Sequence, residues 1–296
     1  MDDRTNILLT ETGGVSDIAS LGTTTSASKV MVARKSGVAA GSTAGVSSLR
    51  PFFPFYGSKW NIARHYPKPA HDLVIEPFAG SAGYATFHNC RRVHLIDADP
   101  IIVGVWSYLI NASVAEIMAL PELPEIGDCV DDHAISQEAK WLIGFWLNRG
   151  SASPKKSRTA YSARNDKAQL NWGARAKERI ASQLHAIRDW TVTLGSYEDA
   201  PNSKATWFVD PPYTDKGKYY RKTFGDFDSL GPWCVKRKGT VIVCEGAGAT
   251  WLPFESLGDF KTSLGRADEK VYIQHTTSKS PQKSPGFRPV AQYAQA

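Results

Sequence analysis

The feature that most constrains this chain is a short apolar run at 73–75, Leu73-Val74-Ile75, followed by a glycine-bearing stretch and a second apolar run at 93–96. Runs of this length read as buried strands, and the segment between them, 80–90, reads as a turn leading into a helix. The three pieces make one β-α-β unit. Helical patterns recur at 101–113, 138–148 and 174–190, the last with Ile180, Leu184 and Ile187 on one face. Further strands are expected at 190–194, 207–209, 240–244 and 270–275. Strands alternating with helices predict an α/β architecture built on a doubly wound, mostly parallel sheet.

The chain has 296 residues, 42% hydrophobic and 22% charged, enough for one large domain or two small ones. Its longest apolar stretches, at 101–106 and 141–147, fall far short of the ~18 residues of a membrane span. Cysteines 90, 129, 234 and 244 are scattered without a C-x-x-C pair, so neither a zinc site nor a disulfide framework is expected, and a reducing cytoplasm fits. Residues 1–49 are rich in Ser, Thr, Ala, Gly and Val and lack aromatics, which predicts a disordered, low-complexity extension. Asp2 and Asp3 stand where a signal peptide needs basic residues. A transit peptide is the rival reading, opposed by Glu11 and Asp17, and Met31 is an alternative start. Residues 277–296 read as a loosely ordered tail.

The net charge of +6 is unevenly spread. Between Arg149 and Arg188 ten Lys and Arg, among them Lys155, Lys156, Arg158, Arg164 and Lys167, face only Asp166 and Glu178. This net +8 is the footprint of a polyanion-binding face, with a solvated, salt-bridged helix surface as the alternative. Upstream, 116–132 carries six acids, no base and two prolines, and reads as an exposed linker or short helices.

Candidate chemistry sits where strands end. Asp210-Pro211-Pro212-Tyr213 follows the apolar run Trp207-Phe208-Val209. Two prolines cannot donate ladder hydrogen bonds, so they stop the strand and present an acid and an aromatic ring at its C-terminal edge, where open α/β sheets bind ligands. An ordinary strand-ending turn would look the same. In Glu76-Pro77-Phe78-Ala79-Gly80-Ser81-Ala82-Gly83 the glycines permit close backbone approach, while Glu76 would repel a pyrophosphate and suits a cationic, amine-bearing ligand. Asp97 ends the next strand 17 residues after Gly80, where a carboxylate can grip ribose hydroxyls or serve a turn. Glu245 ends a strand at the same edge and is a further candidate. The seven histidines show no ligand spacing, and Lys236-Arg237-Lys238 reads as a solvated turn.

Taken in order, these blocks resemble the D12 class of S-adenosylmethionine-dependent adenine-N6 DNA methyltransferases, which includes Dam-type enzymes. Pro54-Phe55-Tyr56-Gly57-Ser58-Lys59 is similar to the first motif, residues 75–83 to the E-P-F-x-G cofactor loop, and residues 95–100 to the acidic second motif. Gly195-Ser196-Tyr197-Glu198 resembles the G-D-F-E element and Asp210–Tyr213 the catalytic tetrapeptide. The likeness spans roughly 51–253. The chain departs from the pattern at Gly83, one position late, and at Ser58 and Ser196, which replace a glycine and an aspartate.

The resemblance implies a Rossmann-like class I methyltransferase fold with a helical, basic insertion: a catalytic domain from 50–115 and 190–276, and target recognition by 116–189. It assigns catalysis to Asp210, Pro211, Pro212 and Tyr213. Cofactor binding falls to Tyr56, Gly57, Lys59, Glu76, Phe78, Gly80, Gly83, Asp97 and Tyr197, and DNA binding to Lys155, Lys156, Arg158, Arg164 and Lys167. S-adenosylmethionine is the implied cofactor, double-stranded DNA the partner, and the cytoplasm of a bacterial or phage-infected cell the location. The adenine N6 amine is a poor nucleophile because its lone pair is delocalised. Hydrogen bonds to the Asp210 carboxylate and the Pro211 carbonyl would localise it, with Tyr213 stacked on a flipped-out base and without metal or covalent intermediate. Tyr56 and Phe78 could face the cofactor as packing or cation–π partners. Cytosine-N4 enzymes usually carry Ser, and glutamine-modifying enzymes Asn, in place of Asp210. An RNA adenine, or DNA binding without catalysis, stays open, whereas a nicotinamide dehydrogenase is disfavoured by the missing G-x-G-x-x-G pattern.

Overall fold

The computed structural model describes residues 48–147, 149–164, 171–214, 219–262 and 265–275. The expectations for residues 1–47 and 277–296, and for Lys167, lie outside the described residues. Strand β1 (Leu73–Glu76) runs through the glycine-bearing loop into helix α1 (Gly83–Phe87) and strand β2 (Arg92–Asp97). Four helices come next, α2 (Pro100–Asn111), α3 (Val114–Ala119), α4 (Gln137–Leu147) and α5 (Ala160–Arg164). The chain continues through α6 (Ala174–Gln183), β3 (Thr191–Leu194), β4 (Ala205–Val209), α7 (Phe227–Val235), β5 (Gly239–Gly246), β6 (Glu255–Thr262) and β7 (Gly265–His275).

The strands form one sheet in the order β3-β2-β1-β4-β5-β7-β6. The first five are parallel, and β7 lies antiparallel between β5 and β6. This is a doubly wound, Rossmann-like α/β fold. Residues along β4 alternate between two cores: Phe208 packs on one side of the sheet, Trp207 and Val209 on the other. Both faces are therefore covered, which is why β4 and β5 read as unbroken apolar runs.

Helices α3, α4 and α6, from the basic segment and the stretch before it, bury Ile117, Leu142, Trp146 and Ile180 in the same core as Phe52, Phe53 and Trp106, and Leu184 joins them from the turn after α6. Phe53 stacks on Phe145 at 5.1 Å, and Trp106 lies 5.4 Å from Trp190. The acidic stretch 116–132 takes the short-helix form. The Ser113/Glu116 capping box starts α3, and Leu120, Leu123 and Val130 anchor the rest of the stretch while most of its acids stay exposed.

Three elements differ from expectation. The helix expected over 174–190 ends at Gln183 and continues as a 3-10 turn, Leu184–Ile187. The Gln183 amide is used there to clamp the Arg50 backbone, accepting from its N–H at 3.0 Å and donating to its carbonyl at 2.7 Å. Helix α7 contains Pro232, and Gly231 is required by the Trp251 carbonyl, which a Cβ would approach to 3.1 Å. Both residues hide the helix from a propensity reading. Strand β6 is an edge strand with a bulge between Ser256 and Gly258, so only one side needs pairing and its apolar pattern is weak.

Candidate active site

The sheet reverses its building direction between β1 and β4, and the C-terminal edges of the neighbouring strands β2, β1 and β4 bring Asp97, Glu76 and Asp210 to one cleft. Open α/β sheets bind ligands at such a switch point. The cleft is open to solvent and offers about 110 Å³ of interior space. Phe55, Phe78, Ile102, Tyr220 and Phe224 give it an apolar wall beside the three acids.

Each acid is held differently. Asp97 accepts from the Gly80 N–H at 3.0 Å with one oxygen and from the Asp99 N–H at 2.8 Å with the other, so it fastens the glycine loop to the start of α2. Burial pushes its carboxyl up to about 6 against the pull of those two N–H groups. Asp99 caps α2 through the Ile101 N–H and pairs with Arg221 at 3.0 Å. Glu76 is buried and accepts from the Ala85 N–H in α1 at 2.8 Å. Burial raises its carboxyl to about 8 against the pull of the Ala85 N–H and the Lys59 ammonium, which keeps it largely protonated at neutral pH.

Asp210 comes directly after the last residue of β4 and meets the Lys59 ammonium at 2.8 Å and 2.9 Å. Burial lifts its carboxyl to about 6, against the opposing pull of Lys59. Burial works against the charged form of Lys59 as well, yet Asp210 and Glu269 hold its ammonium above the ordinary lysine range. Lys59 also donates to the Gly57 carbonyl at 3.1 Å and lies 4.6 Å from the centre of the Tyr213 ring.

The glycine loop is shaped by contact with the first motif. A Cβ on Gly83 would come within 2.7 Å of the Trp60 nitrogen and 2.9 Å of the Lys59 nitrogen, so the start of α1 can lie on that turn only without a side chain. Ser81 donates to Ser58 at 2.9 Å, giving the serine that replaces a glycine a role in tying the two motifs together. Trp106 donates its indole N–H to the Gly80 carbonyl at 2.8 Å.

Of the residues expected at the site, Tyr56, Gly57, Lys59, Glu76, Phe78, Gly80, Gly83, Asp97, Asp210 and Pro212 line the cleft. Pro211 is buried and does not line it. Tyr213 is also outside the lining: it is buried, donating its hydroxyl to Glu269. Tyr197 stacks against Phe78 at 5.7 Å from outside the cleft, and Ser196 caps a 3-10 turn there. Glu245 accepts from Trp251, Gly246 and Thr214, and so braces the chain after the tetrapeptide. Sequence reasoning missed Phe55, Ile102, Arg221 and Phe224 as lining residues. Phe55 carried a signal through its place in the first motif, and Arg221 through the basic character of 216–222.

The basic segment divides. Lys155, Lys156 and Arg164 are exposed, Lys156 paired with Asp131 at 2.7 Å. Arg158 leaves the set of surface cations. It is buried and donates to the Leu123 carbonyl, because a guanidinium inside the segment is needed to satisfy backbone there. Lys177 is likewise buried, donating to the Leu120 carbonyl at 3.0 Å.

No protein-family model and no curated protein sequence matches the chain. Solved structures similar to it include a conserved hypothetical protein of Streptococcus pyogenes, 11% identical, covering 75% of this chain and 97% of that one, with a TM-score of 0.30. The putative methyltransferase yhhF of Escherichia coli is 11% identical over 69% of this chain and 76% of its own, with a TM-score of 0.28. The putative methylase HI0767 of Haemophilus influenzae is 9% identical over 73% and 84%, with a TM-score of 0.29. The fold assignment rests on the strand order of the sheet itself. Among the described residues no helix is long and apolar enough to cross a membrane.

Proposed function

We propose that this chain is an S-adenosylmethionine-dependent methyltransferase acting on the N6 amine of an adenine flipped out of duplex DNA. The observation that carries the reading is the placement of Asp210 in a cleft at the switch point, held by a buried lysine, with acids at the ends of the neighbouring strands β1 and β2. A sulfonium cofactor is a cation, and a site with Glu76, Asp97, Asp99 and Asp210 along one side suits it where a pyrophosphate would be repelled. When bound, that cofactor supplies an electrophilic methyl group.

The residues divide the work by their chemistry. Asp210 accepts hydrogen bonds from the target amine, which localises the nitrogen lone pair, and Lys59 favours the ionised carboxylate that this requires. Glu76 ionises beside the amine of the cofactor, and Asp97 faces ribose hydroxyls while its oxygens hold the loop. Phe78, Ile102 and Phe224 offer a slot for a purine. Asp210 favours adenine over cytosine, and the exposed lysines and arginines of 149–188 supply phosphate contacts.

The test is incubation with tritiated S-adenosylmethionine and a mixture of duplex DNA and RNA, with nucleoside analysis of the products. The expected product is labelled N6-methyladenine from DNA. Label in cytosine, in RNA alone or in no nucleoside overturns the reading.

A further inference from the structure

Beyond Asp210 lies a second carboxylate, to which the proposed methyl transfer gives no role. Glu269, on β7, is buried, and its Oε1 accepts hydrogen bonds from two phenols, Tyr66 at 2.7 Å and Tyr213. The same oxygen stands 3.9 Å from the Lys59 ammonium, which contacts Asp210 at 2.8 Å. One buried ammonium is thus shared by two carboxylates, and the second is tied to the aromatic residue of the Asp-Pro-Pro-Tyr tetrapeptide.

Resting on the reading of the site as a methyltransferase, we infer that Glu269 is a positioning residue: it draws part of the Lys59 charge away from Asp210 and anchors Tyr213. A lysine paired with Asp210 alone would neutralise it and weaken it as an acceptor for an amine. With Glu269 present the three charges sum to one negative, and that surplus meets the positive charge that develops on the attacking nitrogen. The balance is simple: the N–CH3 bond forms as the S–CH3 bond breaks, the sulfur keeps the electron pair, and the nitrogen then loses one proton to solvent by way of the Asp210 carboxylate.

The other titratable groups facing this cluster are Tyr66, Tyr213, Tyr220, Cys244, Glu76 and Glu245. Burial raises the phenols and the thiol, so they stay neutral through the working range, and Glu76 and Glu245, being glutamates, give no signal among the aspartate carboxyls, which leaves Asp210 as the group that reports Glu269.

The experiment is a carbon-13 titration of the aspartate carboxyls in the full chain, with Asp210 assigned by its loss in Asp210→Asn. In Glu269→Gln the Asp210 midpoint falls by about one pH unit, because removing a neighbouring negative charge favours the ionised form. In Tyr66→Phe, which removes one donor from Glu269 and leaves the ring, the midpoint rises. Opposite shifts are a result that general loosening of the fold does not produce. Midpoints unmoved in both variants, or moved the same way, overturn the inference.

In methyl transfer, Glu269→Gln lowers kcat about tenfold with cofactor Kd within twofold, Glu269→Asp recovers part of the loss, and the acid limb of kcat/KM moves down with the midpoint. A wild-type chain that transfers no methyl group defeats the functional reading, whereas the titration alone decides the coupling of Glu269 to Asp210.

Discussion

Glu76 shows how a single residue can cost stability where it serves a site. Its carboxyl is pushed up to about 8 by burial, against an ordinary value of 4.5, so the folded chain holds a proton that the unfolded chain gives up. The contribution to stability is therefore fully present below pH 4.5 and is lost as pH rises towards 8. Glu76→Gln keeps an acceptor for the Ala85 N–H and removes the charge. Thermal unfolding should find the variant more stable than wild type at pH 8, with the difference vanishing near pH 4, while cofactor affinity falls. Equal midpoints at both pH values would mean that Glu76 is hydrated in solution. The residue type was legible from sequence because an acid at a strand end beside glycines has few other uses. Its protonation was not, since that depends on how completely the loop, α1 and Lys59 close over it.

At the scale of elements, the site depends on α1 lying against the turn that begins at Lys59. Gly83→Ala places a methyl group against two backbone nitrogens at 2.7 Å and 2.9 Å, and backbone cannot turn aside as a flexible side chain can. Overpacking of this kind costs about 1–3 kcal/mol, and chemical denaturation should show it together with weaker cofactor binding, since the glycine loop must shift. A variant of wild-type stability and affinity would show that the two motifs are not rigidly docked. The same contrast between local and distant contacts explains what could be read in advance. The acids of β1, β2 and β4 fall within contiguous motifs, each ending an apolar run, so strand identity and site residues were visible together. Arg221, Phe224 and Glu269 reach the site from segments whose local sequence has no strand-end signature, and only the three-dimensional path of the chain brings them in. Helix α7 was hidden by Gly231 and Pro232, and β6 by the sparse apolar pattern an edge strand allows.

For the whole molecule, the decisive quantity is the distribution of charge. The excess of 149–188 overstates the cationic surface, because Arg158 and Lys177 are buried and Arg188 caps the carbonyls of Ile110 and Ala112. Arg149, Lys155, Arg164 and Arg175 stay exposed, as does Lys156 in its pair with Asp131, and Lys155, Arg164 and Arg175 are the set to replace. If these contact backbone phosphates, the log–log dependence of DNA affinity on salt should lose about 0.9 for each contact removed. The triple replacement by alanine should flatten the slope and weaken all duplexes alike, with the cofactor constant unchanged. A triple variant with the wild-type slope would mark this charge as a solvated surface and move the DNA face to the basic residues beside the cleft.

The most direct measurement of the chemistry assigned to the cleft is the single-turnover rate of methyl transfer by Asp210→Ala, taken together with its cofactor affinity by calorimetry. Loss of a positioned acceptor at the reacting nitrogen should lower the rate by about 10²–10³ or more, while cofactor affinity stays within a few-fold of wild type. An Asp210→Ala chain that retains most of the wild-type rate would contradict the central claim.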